Sequence, residues 1–235
     1  MRLASVVEFL TVVVAALSVG ALSRASDGEF ASKFVVATNE WTSTGGNSYF
    51  KLVPGYALVL EGKNEGKIVA LTVTVLNETL MVDGVETRVV EERETANGQL
   101  VEVSRNYFAS SKKTGDVYYF GEDVDTYDGG QLTGHGSSWR SGANGAKFGL
   151  MVPAEPRVGD RYYQELAARA AQDRAEVVSL TETVQTAVGA FANCLKTIET
   201  TPLEPLNKEF KVYAPDVGLV QDGNLLLTRY GISPK

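Results

Sequence analysis

The residues of this chain that could do chemistry gather in three short stretches. Glu122, Asp123, Asp125 and Asp128 precede Gly129-Gly130, and a calcium ion takes oxygen ligands at such close spacing. On a strand Asp123 and Asp125 share a face while Glu122 points away; the candidate metal ligands are Asp123, Asp125 and Asp128. The run lacks the full ligand series and the terminal Glu of an EF-hand loop, and the competing reading is a solvated hairpin end. His135, the single histidine, stands beside Ser137 and Ser138. A catalytic His and Ser normally converge from separate segments, with a carboxylate orienting the His, and no G-x-S-x-G elbow is present. No catalytic residue is assigned. Glu91, Glu92 and Glu94 around Arg93 resemble paired carboxylates, but alternation sets Glu92 and Glu94 opposite Glu91 and Arg93, and cross-strand ion pairing accounts for them.

The aromatic residues offer a binding chemistry instead. In Tyr107-Phe108, Tyr118-Tyr119-Phe120 and Tyr162-Tyr163, one member of each adjacent pair faces inward if the sheet closes. Tyr107, Tyr118, Phe120, Trp139 and Tyr162 are the candidate lining of an apolar cavity; the alternative is that these side chains fill the core. One cysteine, Cys194, cannot form an intrachain disulfide and reads as a small buried hydrophobe. With one Cys and one His, zinc chemistry lacks ligands, and no cofactor is called for. A net charge of −7 without a Lys/Arg cluster argues against nucleic acid as a partner. Asn77-Glu78-Thr79 matches a glycosylation acceptor, relevant only in a eukaryotic secretory route.

The elements that must position these residues read as strands. Tyr56–Glu61, Lys67–Asn77, Val85–Thr95, Gln99–Ala109 and Asp116–Phe120 are rich in Val, Thr, Tyr and Phe, and Asp83-Gly84 and Asn97-Gly98 between them favour tight hairpins. Leu71–Val75 alternates apolar with polar residues, as a half-buried strand does. Further runs follow at Glu176–Leu180, Cys194–Thr200, Lys208–Tyr213 and Leu225–Tyr230. Arg161–Ala175 holds an Ala-rich run whose propensity alone favours a helix, while consecutive hairpins on both sides argue for strand continuity, and a short helix there is one of two open readings. The expected fold is all-β, an antiparallel meander closing into a barrel or half-barrel to remove its edges.

At the N-terminus, Arg2, the apolar run Phe9–Leu22 and the small residues Ala21, Ser23 and Ala25 read as a signal peptide over 1–25. A run of about 14 residues is shorter than the roughly 20 that span a bilayer, so no membrane span is expected after cleavage. Residues 26–47 lack periodicity and are expected to be a flexible leader, with 48–235 a single β domain. The localisation this implies is periplasmic or secreted.

Several stretches resemble an uncharacterised family of exported bacterial proteins. They are Asn47–Gly55, Asp83–Val90, Val117–Asp123, Gly189–Lys196, Glu199–Pro205 and Tyr213–Val220, and together they cover roughly 47–220. The sequence departs from that pattern at Asp216, at Trp139–Gly142 and at Phe148. The family is similar in style to calycin-like and lipoprotein-carrier-like β-barrels, and the resemblance implies a cavity for apolar molecules without supplying catalytic residues. The expected function is an exported, non-enzymatic module that binds an apolar or amphipathic ligand, such as a small molecule or lipid. The alternatives are a structural or docking component that binds another envelope protein, and a hydrolase using carboxylates or calcium.

Overall fold

Alternating strands and tight turns dominate the architecture. A computed structural model describes residues 29–64, 66–168 and 170–232, almost all of them in antiparallel β structure; the expected signal peptide, 1–25, lies outside the described residues. The main strands are β1 (Tyr56–Asn64), β2 (Lys67–Val82), β3 (Val85–Ala96), β4 (Gln99–Ser111), β5 (Val117–Asp128) and β6 (Lys147–Val152). They are followed by β7 (Arg161–Tyr163), β8 (Glu165–Leu166), β9 (Arg174–Thr186), β10 (Gly189–Thr201), β11 (Glu204–Ala214), β12 (Gly218–Asp222) and β13 (Leu225–Ile232). At the β2–β3 turn Asp83 and Gly84 take φ of 52° and 75°, and at the β3–β4 turn Asn97 and Gly98 take 50° and 78°. Two successive left-handed residues make the type I′ turn that matches strand twist.

The strands lie in the order β7-β9-β10-β11-β12-β13-β1-β2-β3-β4-β5-β6-β8. The last strand, β13, pairs with the first, β1, from Leu226 opposite Glu61 to Ile232 opposite Tyr56. The two ends of the sheet, β7 and β8, are separated in the chain by Gln164 alone. Tyr162 pairs with Ala175 of β9, while Glu165 pairs with Phe148 of β6. One short extended segment therefore serves both edges, and the barrel is nearly closed, which satisfies backbone groups that open edges would expose. This seam needs Gly149: a Cβ there would overlap the Gln164 and Tyr163 carbonyls.

Two expectations are corrected here. No helix forms over 161–175 among the described residues; the segment is β7, β8 and a turn in which Ala167 bridges Ala171. Closure of the sheet outweighs the weak helix propensity of the alanines, whose small side chains, Ala167 and Ala171, pack into the cluster that holds Trp139. The stretch read as a flexible leader is, over 29–47, a strap on the outer wall. Ala31 exchanges backbone hydrogen bonds of 2.9 Å with Arg161 and Tyr163, and Trp41-Thr42 pairs with Ser110-Ser111. Trp41 packs edge-on against Tyr118, Phe120 and Phe148, with centroids 5.2–5.4 Å away. These contacts follow no periodicity, so the sequence pattern does not betray them.

Candidate functional site

One end of the barrel is stoppered by the segment Asn47–Gly55. Asn47 fixes it with every hydrogen bond its amide can make. Its Oδ1 accepts from the backbone N–H of Tyr49 and Phe50, both at 2.9 Å, and its Nδ2 donates to the carbonyls of Gly115 (3.2 Å) and Val152 (3.1 Å). Leu52 is fully buried. Above this floor a small space of about 60 Å³ is walled by Tyr49, Phe50, Leu58, Val73 and Met151, and it reaches Leu71, Glu92 and Asp222.

Those last three residues also line a larger cavity of about 200 Å³ toward the other end, together with Glu94, Glu102 and Glu209. Register explains the gathering, because directly opposite residues share a face. Leu71, Glu94 and Glu102 form one row across β2, β3 and β4. On the facing wall Tyr162, Ala175, Glu199 and Glu209 form a row across β7, β9, β10 and β11, and Val177, Thr197, Lys211 and Asp222 form the next. Residues sixty positions apart thus meet on one surface.

Lys211 is the charge at its centre. Its Nζ lies 3.0 Å from Glu199 Oε2, and Gln164 Nε2 donates to Glu199 Oε1 at 3.0 Å. Burial works against the ammonium, but Asp222, Glu199 and Glu209 outweigh it and hold its pKa well above the usual lysine range. The same lysine is the cation acting on Glu92, Glu165, Asp173 and Asp222. It does not balance them. Burial, then mutual repulsion, pushes Glu102 up to about 7 and, despite a hydrogen bond from Tyr119, Glu122 up to about 8. Asp173 rises to about 6 and Asp222 to about 7 from the same causes, with Lys211 pulling the other way. Glu92, Glu94 and Glu165 are raised as well. Four buried side-chain atoms have no hydrogen-bond partner among the described residues: Tyr162 Oη, Thr197 Oγ1 and Asp222 Oδ1 on this surface, and the donor Trp139 Nε1 in the inner cluster with Phe108 and Tyr119.

The residues singled out from the sequence are divided between two faces. Tyr162 is buried in line with Ala175 and Glu199, packed in the core with Val177, Leu195 and Tyr213 and outside the lining of both cavities, and Trp139, opposite Glu122 on β5, packs inward against Phe108 and Tyr119. Tyr107, Tyr118 and Phe120 face outward, in a cluster closed by Trp41, Phe34 and Phe148. Their inward neighbours are Phe108 and Tyr119, stacked 4.7 Å apart. A bulge decides this: Tyr107 pairs with Gly121 but Phe108 with Tyr119, so Phe120 is the extra residue. Gly121 has φ of 140°, and a Cβ there would overlap the Trp139 carbonyl.

The three aspartates proposed as metal ligands are not brought together. Asp123 Oδ2 accepts from Arg140 Nη2 at 2.6 Å and from Tyr107 Oη at 2.8 Å, and the Arg140 hydrogen bond holds its carboxyl below the usual range. Asp125 meets His135 Nδ1 at 2.7 Å on the exposed outer wall, and Asp128 is exposed at the end of β5. Among the described residues no three His, Cys, Asp or Glu side chains gather as a metal site. Ser138 Oγ, meanwhile, accepts from the Val124 N–H, and Cys194 is buried.

Glu92 and Glu94 are the functional candidates that sequence reasoning set aside as ion-pairing groups. Alternation correctly opposes them to Glu91 and Arg93, which lie 3.6 Å apart. The signal for the chamber was present: Val90, Glu92 and Glu94 share a face, so carboxylates continue a buried apolar row. No protein-family model, curated protein or solved structure matches this chain.

Proposed function

We propose that the chain is an exported binding module that takes an amphipathic ligand into the open end of its barrel. The observation that carries this reading is the continuous lining from carboxylates at the mouth, through Leu71, Glu92 and Asp222, to the apolar floor at Tyr49 and Phe50. A pocket that is apolar at depth with a few polar groups at fixed places suits a ligand with both characters. The space at the floor is small, so the apolar part is short and a long acyl chain is not the natural occupant. A docking role in the envelope draws on a different feature, the outer groove of about 610 Å³ where Phe210, Val212 and Leu226 lie among Lys196, Lys208 and Glu182.

Native mass spectrometry of protein taken from its host's envelope, followed by solvent extraction, tests the module reading. The expected result is a copurifying small amphipathic molecule that is lost on Leu71→Trp, which fills the junction of the two cavities. A clean apo protein, together with a copurifying protein that survives Leu71→Trp, would overturn the reading in favour of docking.

A further inference from the structure

Backbone hydrogen bonds are unevenly divided at the seam where the sheet closes. β8 gives β6 a ladder of only two residue pairs, Leu166 with Lys147 and Glu165 with Phe148. β7 turns one edge to β9 and the other to the strap: the Ala31 N–H donates to the Arg161 carbonyl, and the Tyr163 N–H to the Ala31 carbonyl. From there the strap crosses the seam. Phe34 packs both with the outer cluster around Tyr118 and with the core around Val152, Tyr162 and Val177. Trp41-Thr42 then pairs with β4 on the far side. The strap therefore ties together two edges that hold each other by two pairs.

Its two ends are not held alike. At the β4 end the Ser43 carbonyl accepts from Arg88 Nε at 2.9 Å, Ser43 Oγ donates to Glu86 Oε1 at 2.7 Å, and the Lys112 N–H donates to the Glu40 carbonyl at 2.7 Å. At the β7 end Ala31 is exposed, and 32–37 forms no regular structure. Beyond the two Ala31 bonds, that end is held by Phe30, whose ring lies 6.0 Å from that of Tyr163 and 4.4 Å from the Arg174 guanidinium. Exposed backbone hydrogen bonds with few buried apolar contacts mark the parts of a protein that open first. The closed seam also keeps Tyr162 Oη buried with no partner among the described residues, a cost that water removes when the seam parts.

We propose that the seam is a lateral gate in the barrel wall and that Phe30–Phe34 of the strap is its bolt: when the bolt lifts, β7 and β8 leave β6 and stay with β9. The attachment to β9 is the stronger one, three residue pairs extended by the Gln164 and Glu165 N–H groups, which both donate to the Asp173 carbonyl. The gate opens beside Trp139, whose cluster includes Ala167 and Ala171 of the moving segment, and beside Glu199, which Gln164 holds at 3.0 Å. It is a way into the barrel from the side, whatever the chamber binds.

Amide exchange read by mass spectrometry, together with acrylamide quenching of Trp139, tests the gate. The chain has two tryptophans, so a Trp41→Phe background isolates Trp139 and keeps a ring in the strap. Phe30→Ala in that background is expected to speed exchange at 161–166 about tenfold, as a loss of one partly buried ring would. Quenching of Trp139 should rise with it, while exchange in β3 stays as it was. Lys147→Cys with Leu166→Cys puts two thiols directly opposite each other on antiparallel strands, within reach of a disulfide. Once oxidised, this weld should abolish both effects of Phe30→Ala, and dithiothreitol should restore them.

Faster exchange at 29–36 with none at 161–166 would mean that the strap bolts nothing and would overturn the proposal. Acceleration of β3 by the same factor would overturn it too, since the wall would then open only by unfolding as a whole. Quenching that persists through the oxidised weld would place the opening elsewhere in the barrel and end the assignment to this seam.

Discussion

Lys211 Nζ and Glu199 Oε2 lie 3.0 Å apart, and the second oxygen of that carboxylate accepts from Gln164 at 3.0 Å, so the ion pair inside the barrel is fastened to the seam where the barrel closes. Gln164 is the residue between β7 and β8, the two ends of the sheet. The electrostatics of the chamber and the closure of its wall are therefore one arrangement.

Removing the ammonium exposes the imbalance it offsets. Lys211→Met is expected to destabilise the protein by about 3 kcal/mol near pH 8, the low end for breaking a buried pair, because 21% of the lysine side chain still reaches water. In acid the surrounding carboxylates are protonated and the difference should shrink. Thermal melts of parent and variant near pH 5 and pH 8 measure both gaps. Equal gaps would mean that Lys211 acts through the packing of its stem.

The chamber also sets the pH dependence of the whole fold. Asp173 is raised to about 6, Glu102 and Asp222 to about 7 and Glu122 to about 8. A carboxyl raised in the folded state holds its proton where the unfolded chain has lost it, so folding then takes up protons. That stability is fully present below the ordinary carboxylate pKa and is lost as pH rises through 6 to 8. The melting temperature is expected to fall by about 5–10 °C between acid and mildly alkaline solution, at about 2–4 °C per kcal/mol for a chain of this size. A Tm that rises over that interval would contradict the burial of these groups.

Gly149 is the tightest point of the seam. Gly149→Ala places a methyl group against the backbone of Tyr163 and Gln164, atoms that cannot rotate away as a side chain would. A cost of about 1–3 kcal/mol is expected, the range for overpacking, with faster amide exchange confined at first to 161–166. Exchange that accelerates uniformly would mean that the seam does not open as a separate unit.

Much of the scaffold was legible because its causes are local. Asp83-Gly84 and Asn97-Gly98 take the left-handed pair their residue types allow, and every strand expected from a Val/Thr/aromatic run lies within or overlaps an observed one. The failures share a different cause. Arg161–Ala175 has helical propensity, but its backbone is claimed from both sides by β6 and β9. Trp41 stands in a stretch with no pattern because its partners, Tyr118, Phe120 and Phe148, come from two distant strands.

The sequence by itself determined where the chain turns and which residues alternate, since dihedral preference and side-chain direction act over a few positions. Only the tertiary structure decided which face of each strand is the inside. The bulge at Gly121 exchanges Tyr118 and Phe120 for Tyr119 as the inward residue, a shift that any alternation argument passes over. It also decided that carboxylates scattered from Glu92 to Asp222 share one enclosed space. Their meeting depends on register between strands far apart in the chain, and register is set by closure of the whole sheet, a constraint no short stretch of sequence carries.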